Sequence, residues 1–185
     1  MGGRASAAIK MKKHWQDNKQ GMSVIEILIA ITIISTALVS ILSLATFSLR
    51  VAIFNKETAL AKNLAEETLE QVRNFRDGIT WNNDDPENKY DGLGVVATGI
   101  AYYPKKSTDT PPKWQLIQGE ETVNGFTRKV VFDNVQRDAN FNIVESGGTP
   151  DSDTKKVTVT VSWVERERTH QVEIVTYLTN WRQQE

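Results

Sequence analysis

The sequence predicts an α+β fold in which one long N-terminal helix packs on a small antiparallel sheet of about four strands. The N-terminal part is almost wholly apolar and continues into strong helix formers, whereas the C-terminal part alternates β-branched with polar residues. With 185 residues, the chain has room for one domain and an anchor. We divide it into a basic leader (1–21), an apolar helix (22–54), an amphipathic continuation of that helix (55–77) and a β-rich globular head (78–185).

A membrane-length apolar run follows the basic leader. No charged residue occurs between Glu26 and Arg50, and the leader has five Lys/Arg residues against a single Asp17. About 23 uncharged residues form about 34 Å of helix, enough to cross a hydrocarbon core of about 30 Å. The positive-inside rule then places residues 1–21 in the cytoplasm and the head outside.

Glu26 is the unusual residue of this run. An unpaired carboxylate in lipid costs roughly 2.5–3.5 kcal/mol, so it needs a partner. A cleaved secretory signal peptide is one interpretation, but its apolar core should be only about 7–15 residues long. A plain signal anchor explains the length and the charges but leaves Glu26 without a reason.

A third interpretation comes from the string Lys-Gln-Gly-Met-Ser-Val-Ile-Glu, residues 19–26, followed by the apolar run. It resembles the class III signal of type IV pilins and type II secretion pseudopilins. In that family a prepilin peptidase cuts after the glycine, here Gly21, and the new N-terminus, here Met22, is N-methylated. The family usually has Phe where this chain has Met22. The fifth mature residue is a glutamate, here Glu26.

The resemblance implies a partner for Glu26, namely the positive N-terminal amine of Met22, its own or that of a neighbouring subunit. Opposite charges that pair in a low dielectric offset their desolvation, so Glu26 would dock the subunit in register. It also implies a pilin-like fold and four partners: other pilin or pseudopilin subunits, prepilin peptidase, an inner-membrane assembly platform, and membrane lipid before assembly. The subunit would move from the inner membrane to a periplasmic or surface filament.

The helix should extend beyond the membrane, because no Gly or Pro occurs from Met22 to Asp77. Spacings of three and four predict one buried face, made of Ala61, Leu64, Ala65, Thr68, Val72 and Phe75, and Asp77-Gly78 is a stop signal. The string from Ala61 to Arg73 is similar to minor pilins of the PilV kind and the related minor pseudopilin I. Major pilins typically have a helix-breaking Pro or Gly in the apolar half, so its absence favours a minor subunit.

The head shows period-two strands. Residues 157–163 and 172–178 form a predicted hairpin that turns at Glu165–Arg168, and residues 126–135 and 114–117 form two more strands. Residues 81–94 and 138–153 are predicted loops. Pilins often close this end with a disulfide, which this chain lacks, so sheet pairing and packing of Tyr177 and Trp181 should hold the C-terminus instead.

The sequence offers no catalytic constellation, and we expect no enzyme activity and no cofactor. There is no cysteine, His14 lies in the leader, and His170 is predicted to be a solvated strand residue. No nucleophile–base pair, phosphate loop or zinc spacing occurs. The net charge of −1 gives no reason to expect nucleic acid as the main partner.

One oxygen-rich loop is a secondary candidate for calcium. Hard cations take such oxygen ligands, although Asp/Asn clusters in loops are far more often turns. The candidate ligands are Asn83, Asp84, Asp85, Asn88 and Asp91.

Two functions follow from these observations. The first is a minor structural subunit that helps initiate or assemble a type IV pilus or a type II secretion-like filament. The second is a membrane-anchored adhesin or ligand-binding module, whose head would display Tyr102, Tyr103 and Trp114.

Overall fold

The computed structural model describes residues 23–181, and its contacts divide the chain after Arg50. One helix, α1 (Val24–Gly78), is followed by seven strands. They are β1 (Ala101–Lys106), β2 (Trp114–Gln118), β3 (Glu121–Val123), β4 (Phe126–Arg137), β5 (Ile143–Val144), β6 (Thr149–Glu165) and β7 (Arg168–Thr179). The predicted α+β class, with a long N-terminal helix and an antiparallel sheet, is confirmed.

The part of α1 up to Arg50 is exposed along its whole length. Between Glu26 and Arg50 its only polar side chains are hydroxyls, and five of them bond to carbonyls three or four residues earlier, at 2.7–2.9 Å. A hydroxyl satisfied within its own helix can enter lipid at low cost. Among the described residues, α1 is the one helix that is long and apolar enough to span a membrane by length and composition. It is therefore compatible with a transmembrane anchor.

The later part of α1 buries one face. The buried residues are Ala61, Ala65, Thr68, Leu69, Val72 and Phe75, which agrees with the spacing of three and four except that Leu64 is only partly buried and Leu69 is added. The two alanines are fully buried. Because their side chains are small, the helix backbone can lie close to the sheet, and the larger Val72 and Phe75 fill the space further along.

The sheet is antiparallel and open, in the order β2-β1-β4-β6-β7, with β3 and β5 paired to the two ends of β4. Val130 and Phe132 from β4 and Val157, Val159 and Val161 from β6 are fully buried. These alternate residues form the core with α1. The predicted hairpin of β6 and β7 is confirmed, with Arg166 and Glu167 at positive φ in its two-residue turn.

The prediction of about four strands is wrong, because the sheet has seven. β3 and β5 contain three and two residues, too few for a period-two pattern. β1 was missed because Pro104 and two lysines weaken its strand pattern. The predicted 138–153 loop is also partly wrong. It contains β5, and β6 already starts at Thr149, where its polar residues pair with β4 beyond a bulge at Asn134/Val135.

The 79–100 segment has no regular strand or helix but belongs to the core. Trp81, Leu93 and Val96 are buried, and the Trp81 indole N–H donates a 3.0 Å hydrogen bond to the carbonyl of Ser152 in β6. A Cβ at Gly92 would lie 2.2 Å from the carbonyl oxygens of Thr80 and Trp81, so this crossing of two backbones requires glycine.

Candidate functional sites

Glu26 lies in the first turn of α1, and its backbone N–H donates to the carbonyl of Ser23 at 2.9 Å. A carboxylate there is favoured by the helix dipole. Its neighbours Val24, Ile25 and Ile27 are exposed apolar side chains. Within residues 23–181 the Glu26 carboxylate has no hydrogen-bond or ion-pair partner. The charge partner expected from the sequence is therefore not found in this part of the single chain. Gly21 and Met22 lie outside the described residues.

The oxygen-rich loop uses its side chains to hold its own backbone. Asp85 accepts hydrogen bonds from the backbone N–H groups of Glu87, Lys89 and Tyr90 at 3.0–3.3 Å. Asp91 accepts from the N–H of Asp85 at 2.8 Å. Carboxylates occupied in this way are turn-forming groups.

The remaining candidate ligands of this loop are Asn83, Asp84 and Asn88. The Asn83 side-chain amide donates to the carbonyl of Tyr90 at 2.7 Å, Asp84 is exposed, and Asn88 has a φ of 51°. Within the described part of the chain no three His, Cys, Asp or Glu side chains are placed to hold a metal ion. The geometry favours the turn interpretation of these residues over calcium.

A charged network that sequence reasoning missed joins this loop to the β1–β2 connection. The Tyr90 hydroxyl and the Lys89 ammonium both donate to the carboxylate of Asp109. The hydrogen bond from Tyr90, followed by that from Lys89, lowers the pKa of Asp109, and the same contact with Asp109 raises the pKa of Lys89. Lys113 lies over the Tyr90 ring at 5.7 Å. No local sequence pattern indicates this network, because Asp109 is about twenty residues from its partners.

The three aromatic residues of the adhesin interpretation do not form one exposed platform. Tyr102 packs against Phe132, with ring centroids 5.9 Å apart, and burial raises its pKa. Trp114 is also partly buried against the core and lies under the Lys106 ammonium at 5.2 Å. Tyr103, next to Tyr102 on β1, points to the opposite face of the sheet.

His170 is a strand residue, as the sequence predicted, but its side chain is only 30% exposed rather than fully solvated. Its ring stacks on Trp163 at 5.5 Å and meets the edge of Phe54 at 5.2 Å, and its Nε2 lies 4.0 Å from the Glu165 carboxylate. The Trp163 indole in turn donates a 2.9 Å hydrogen bond to Glu57 of α1. His170 is therefore one side of an aromatic contact between α1 and the β6–β7 hairpin.

The C-terminal end of the sheet is held by pairing of β7 with β6, as predicted, but not by burial of Tyr177 and Trp181. Tyr177 and Trp181 are 44% and 58% exposed, whereas Leu178 is buried. Alternation along β7 explains this, since Leu178 faces α1 and Tyr177 faces away. Trp181 contributes through its indole N–H, which donates to Asp77 at 3.1 Å.

Comparison with known proteins adds no further assignment. Neither the protein-family models, nor the curated proteins, nor the solved structures gave a match to this chain.

Proposed function

We propose that this chain is a minor structural subunit, a minor pilin or pseudopilin, of a type IV pilus or a type II secretion-like filament. Prepilin peptidase would cut it after Gly21, and Met22 would become the methylated N-terminus. The observation that carries the proposal is the order of a basic leader, Gly21, and Glu26 five positions later at the start of an uncharged run. The position of Glu26 in the first helical turn supports it.

The proposed mechanism is electrostatic docking. Before assembly, α1 holds the subunit in the inner membrane with the head outside, as the charge asymmetry of the sequence favours. During assembly the apolar part of α1 would leave the lipid and pack among the helices of other subunits. Glu26 would then pair with the N-terminal amine of Met22 in a neighbour, and a subunit out of register would leave two charges unpaired in a low dielectric. No group of the head is assigned a catalytic role.

Mass spectrometry of the mature N-terminus tests the processing step. We expect the chain from assembled filaments to begin at an N-methylated Met22, and Gly21→Val to leave the full-length precursor uncut in the membrane. An intact Met1 in filaments would refute the proposal.

Incorporation of a Glu26→Ala variant tests the docking step. We expect the variant to reach the membrane with a folded head but to be missing from sheared filaments. Glu66→Ala is the matched control, since it removes an exposed carboxylate of the same helix and should assemble normally. If Glu26→Ala assembled as the wild type does, docking by this carboxylate would be excluded.

Surface fractionation separates this proposal from a membrane-anchored binding module. A filament subunit is released with sheared filaments, whereas an anchored module stays in the membrane fraction whether or not filaments form.

A further inference from the structure

Lys155 of β6 lies in the interior of the head. Only 5% of its surface is exposed, and it is the one lysine among the buried residues of the described chain. Its place in the strand explains this, because Lys155 comes two residues before Val157 and shares the face of β6 that packs on α1. Buried lysines normally pair with a carboxylate. None of the ion pairs within residues 23–181 includes Lys155.

The Lys155 amine contacts a neutral amide instead. Its Nζ donates a 2.7 Å hydrogen bond to the side-chain oxygen Oδ1 of Asn134, and the two residues are directly opposite each other in the β4–β6 ladder. Since a C=O bond is about 1.23 Å long, the amide carbon Cγ of Asn134 lies within about 3.9 Å of Nζ. Reacting atoms in a near-attack geometry are about 3–3.5 Å apart. A nucleophile and an electrophilic carbon are therefore neighbours in the folded chain.

The surroundings of Lys155 favour its neutral form. Burial lowers the pKa of Lys155, and the nearby charge of Asp133 opposes this shift only in part. A neutral amine has a free lone pair and can attack a carbonyl carbon, whereas an ammonium cannot. Lys129 of β4 is different, because its side chain is 39% exposed and forms an ion pair with Glu120.

The position of the pair in the sheet also suits a reaction. The register of β4 and β6 shifts immediately after Asn134, and a bulge of this kind interrupts the ladder and can re-aim a side chain. Asn134 is exposed, although Lys155 is buried. Water therefore reaches the amide, where it can carry a proton and take up a released ammonia.

We infer that Lys155 and Asn134 condense to an isopeptide bond that links β4 covalently to β6. The neutral amine attacks Cγ of Asn134, and a bond forms between Nζ and Cγ. A proton passes from Nζ to Nδ2 through water, the bond between Cγ and Nδ2 breaks, and ammonia leaves. Nothing is oxidised or reduced, and no co-reactant is consumed. Well-oriented groups reach effective concentrations of about 10⁵–10⁸ M, which offsets the low reactivity of an amide.

The bond closes a loop from Asn134 to Lys155 that contains β5 and the register shift. A covalent closure of this kind constrains the unfolded chain, as a disulfide does. The chain has no cysteine, so the isopeptide bond gives the head a cross-link that it cannot form through sulfur. The inference concerns the head alone and does not depend on filament assembly, so each can fail without the other.

Peptide mass spectrometry of the full-length protein tests the bond. The folded protein is incubated in mild detergent, denatured and digested with trypsin, which cannot cut after an acylated Lys155. We expect a branched peptide in which residues 130–137 are joined to residues 138–156, with the mass of the two segments less one ammonia. Separate peptides 130–137 and 138–155 as the only products, even after prolonged incubation, would overturn the inference.

Two variants with matched controls test the assignment to this pair. Lys155→Arg keeps the positive charge but replaces the amine with a guanidinium that stays protonated, and Lys129→Arg makes the same change at an exposed site. Asn134→Ala removes the electrophile, and Asn140→Ala removes an amide from an exposed turn. We expect no branched peptide in Lys155→Arg or Asn134→Ala and the wild-type amount in both controls. A branched peptide that persists in either would overturn the assignment. Thermal unfolding checks that all four variants fold.

Discussion

The guanidinium of Arg128 in β4 donates a hydrogen bond of 2.9 Å to the side-chain oxygen of Gln71 in α1. The same group donates to the Glu121 carboxylate at 2.5 and 2.9 Å and to the carbonyl of Pro104 at 3.3 Å. Its side chain is only 9% exposed. One buried cation therefore joins α1, β1, β3 and β4, and it is tolerated because its donors have partners.

Removal of this cation should destabilise the head. In Arg128→Met the carboxylate of Glu121 and the oxygen of Gln71 lose their donor, and we expect a loss of about 2 kcal/mol in the free energy of unfolding. Urea unfolding of the detergent-solubilised protein, followed by circular dichroism, measures it. Lys129→Met is the control, because Lys129 forms an exposed ion pair with Glu120; its cost should be within about 0.5 kcal/mol. Equal losses in unfolding free energy for the two variants would show that the buried hydrogen bonds of Arg128 do not stabilise the head.

The contact between Trp163 and Glu57 should hold the start of the amphipathic helix on the sheet. Trp163→Phe removes the donor of a 2.9 Å hydrogen bond, and we expect a loss of about 1 kcal/mol in unfolding free energy. Trp181→Phe removes a similar indole–carboxylate bond, but Trp181 is 58% exposed, so water replaces it at smaller cost. Urea midpoints of the two variants give the comparison, and a larger loss in Trp181→Phe would contradict it.

The free energy of unfolding should fall in acid, partly because the Asp151 carboxylate becomes protonated. Burial pushes the pKa of Asp151 upward, but hydrogen bonds from Arg137 and Thr154 and from the N–H of Asp153 bring it below the ordinary value. Between the folded pKa and the unfolded pKa of about 3.9, the unfolded chain binds more protons. The stabilisation that Asp151 contributes is therefore fully present above the unfolded pKa. It is lost as the pH falls through the folded pKa.

Urea midpoints measured from neutral to acid pH test this dependence. We expect the decline to be shallower in Asp151→Asn. It should be unchanged in Asp84→Asn, whose carboxyl is exposed and has no hydrogen bond within residues 23–181. A pH dependence unaffected by Asp151→Asn would assign the decline to other carboxylates.

Calcium should not be needed for the oxygen-rich loop. Because Asp85 and Asp91 already bind backbone N–H groups, we expect the same melting temperature with and without a chelator. Asp85→Ala should lower it, since three N–H groups lose their acceptor, whereas Asp85→Asn keeps an acceptor and should lower it less. A fall in melting temperature on chelation that is absent in Asp85→Ala would instead establish a calcium site.

The sequence by itself determined the features that depend on patterns a few residues long. The apolar run, the spacing of buried residues on α1 and the β6–β7 hairpin were all predictable, because helix and strand periodicity and charge act over a few residues. The proposed processing site and Glu26 were likewise found from their order along the chain.

Only the tertiary structure decided what depends on pairing between distant residues. It showed seven strands rather than about four, because β3 and β5 are short segments that become strands by pairing with the two ends of β4. It placed Arg128 among acceptors from three other elements and showed that His170 makes an aromatic contact with α1. It also placed β7 at one end of the strand order, where no other strand of residues 23–181 pairs with its outer side. These features have no local signal, because the free energy that fixes them comes from contacts up to 106 residues apart.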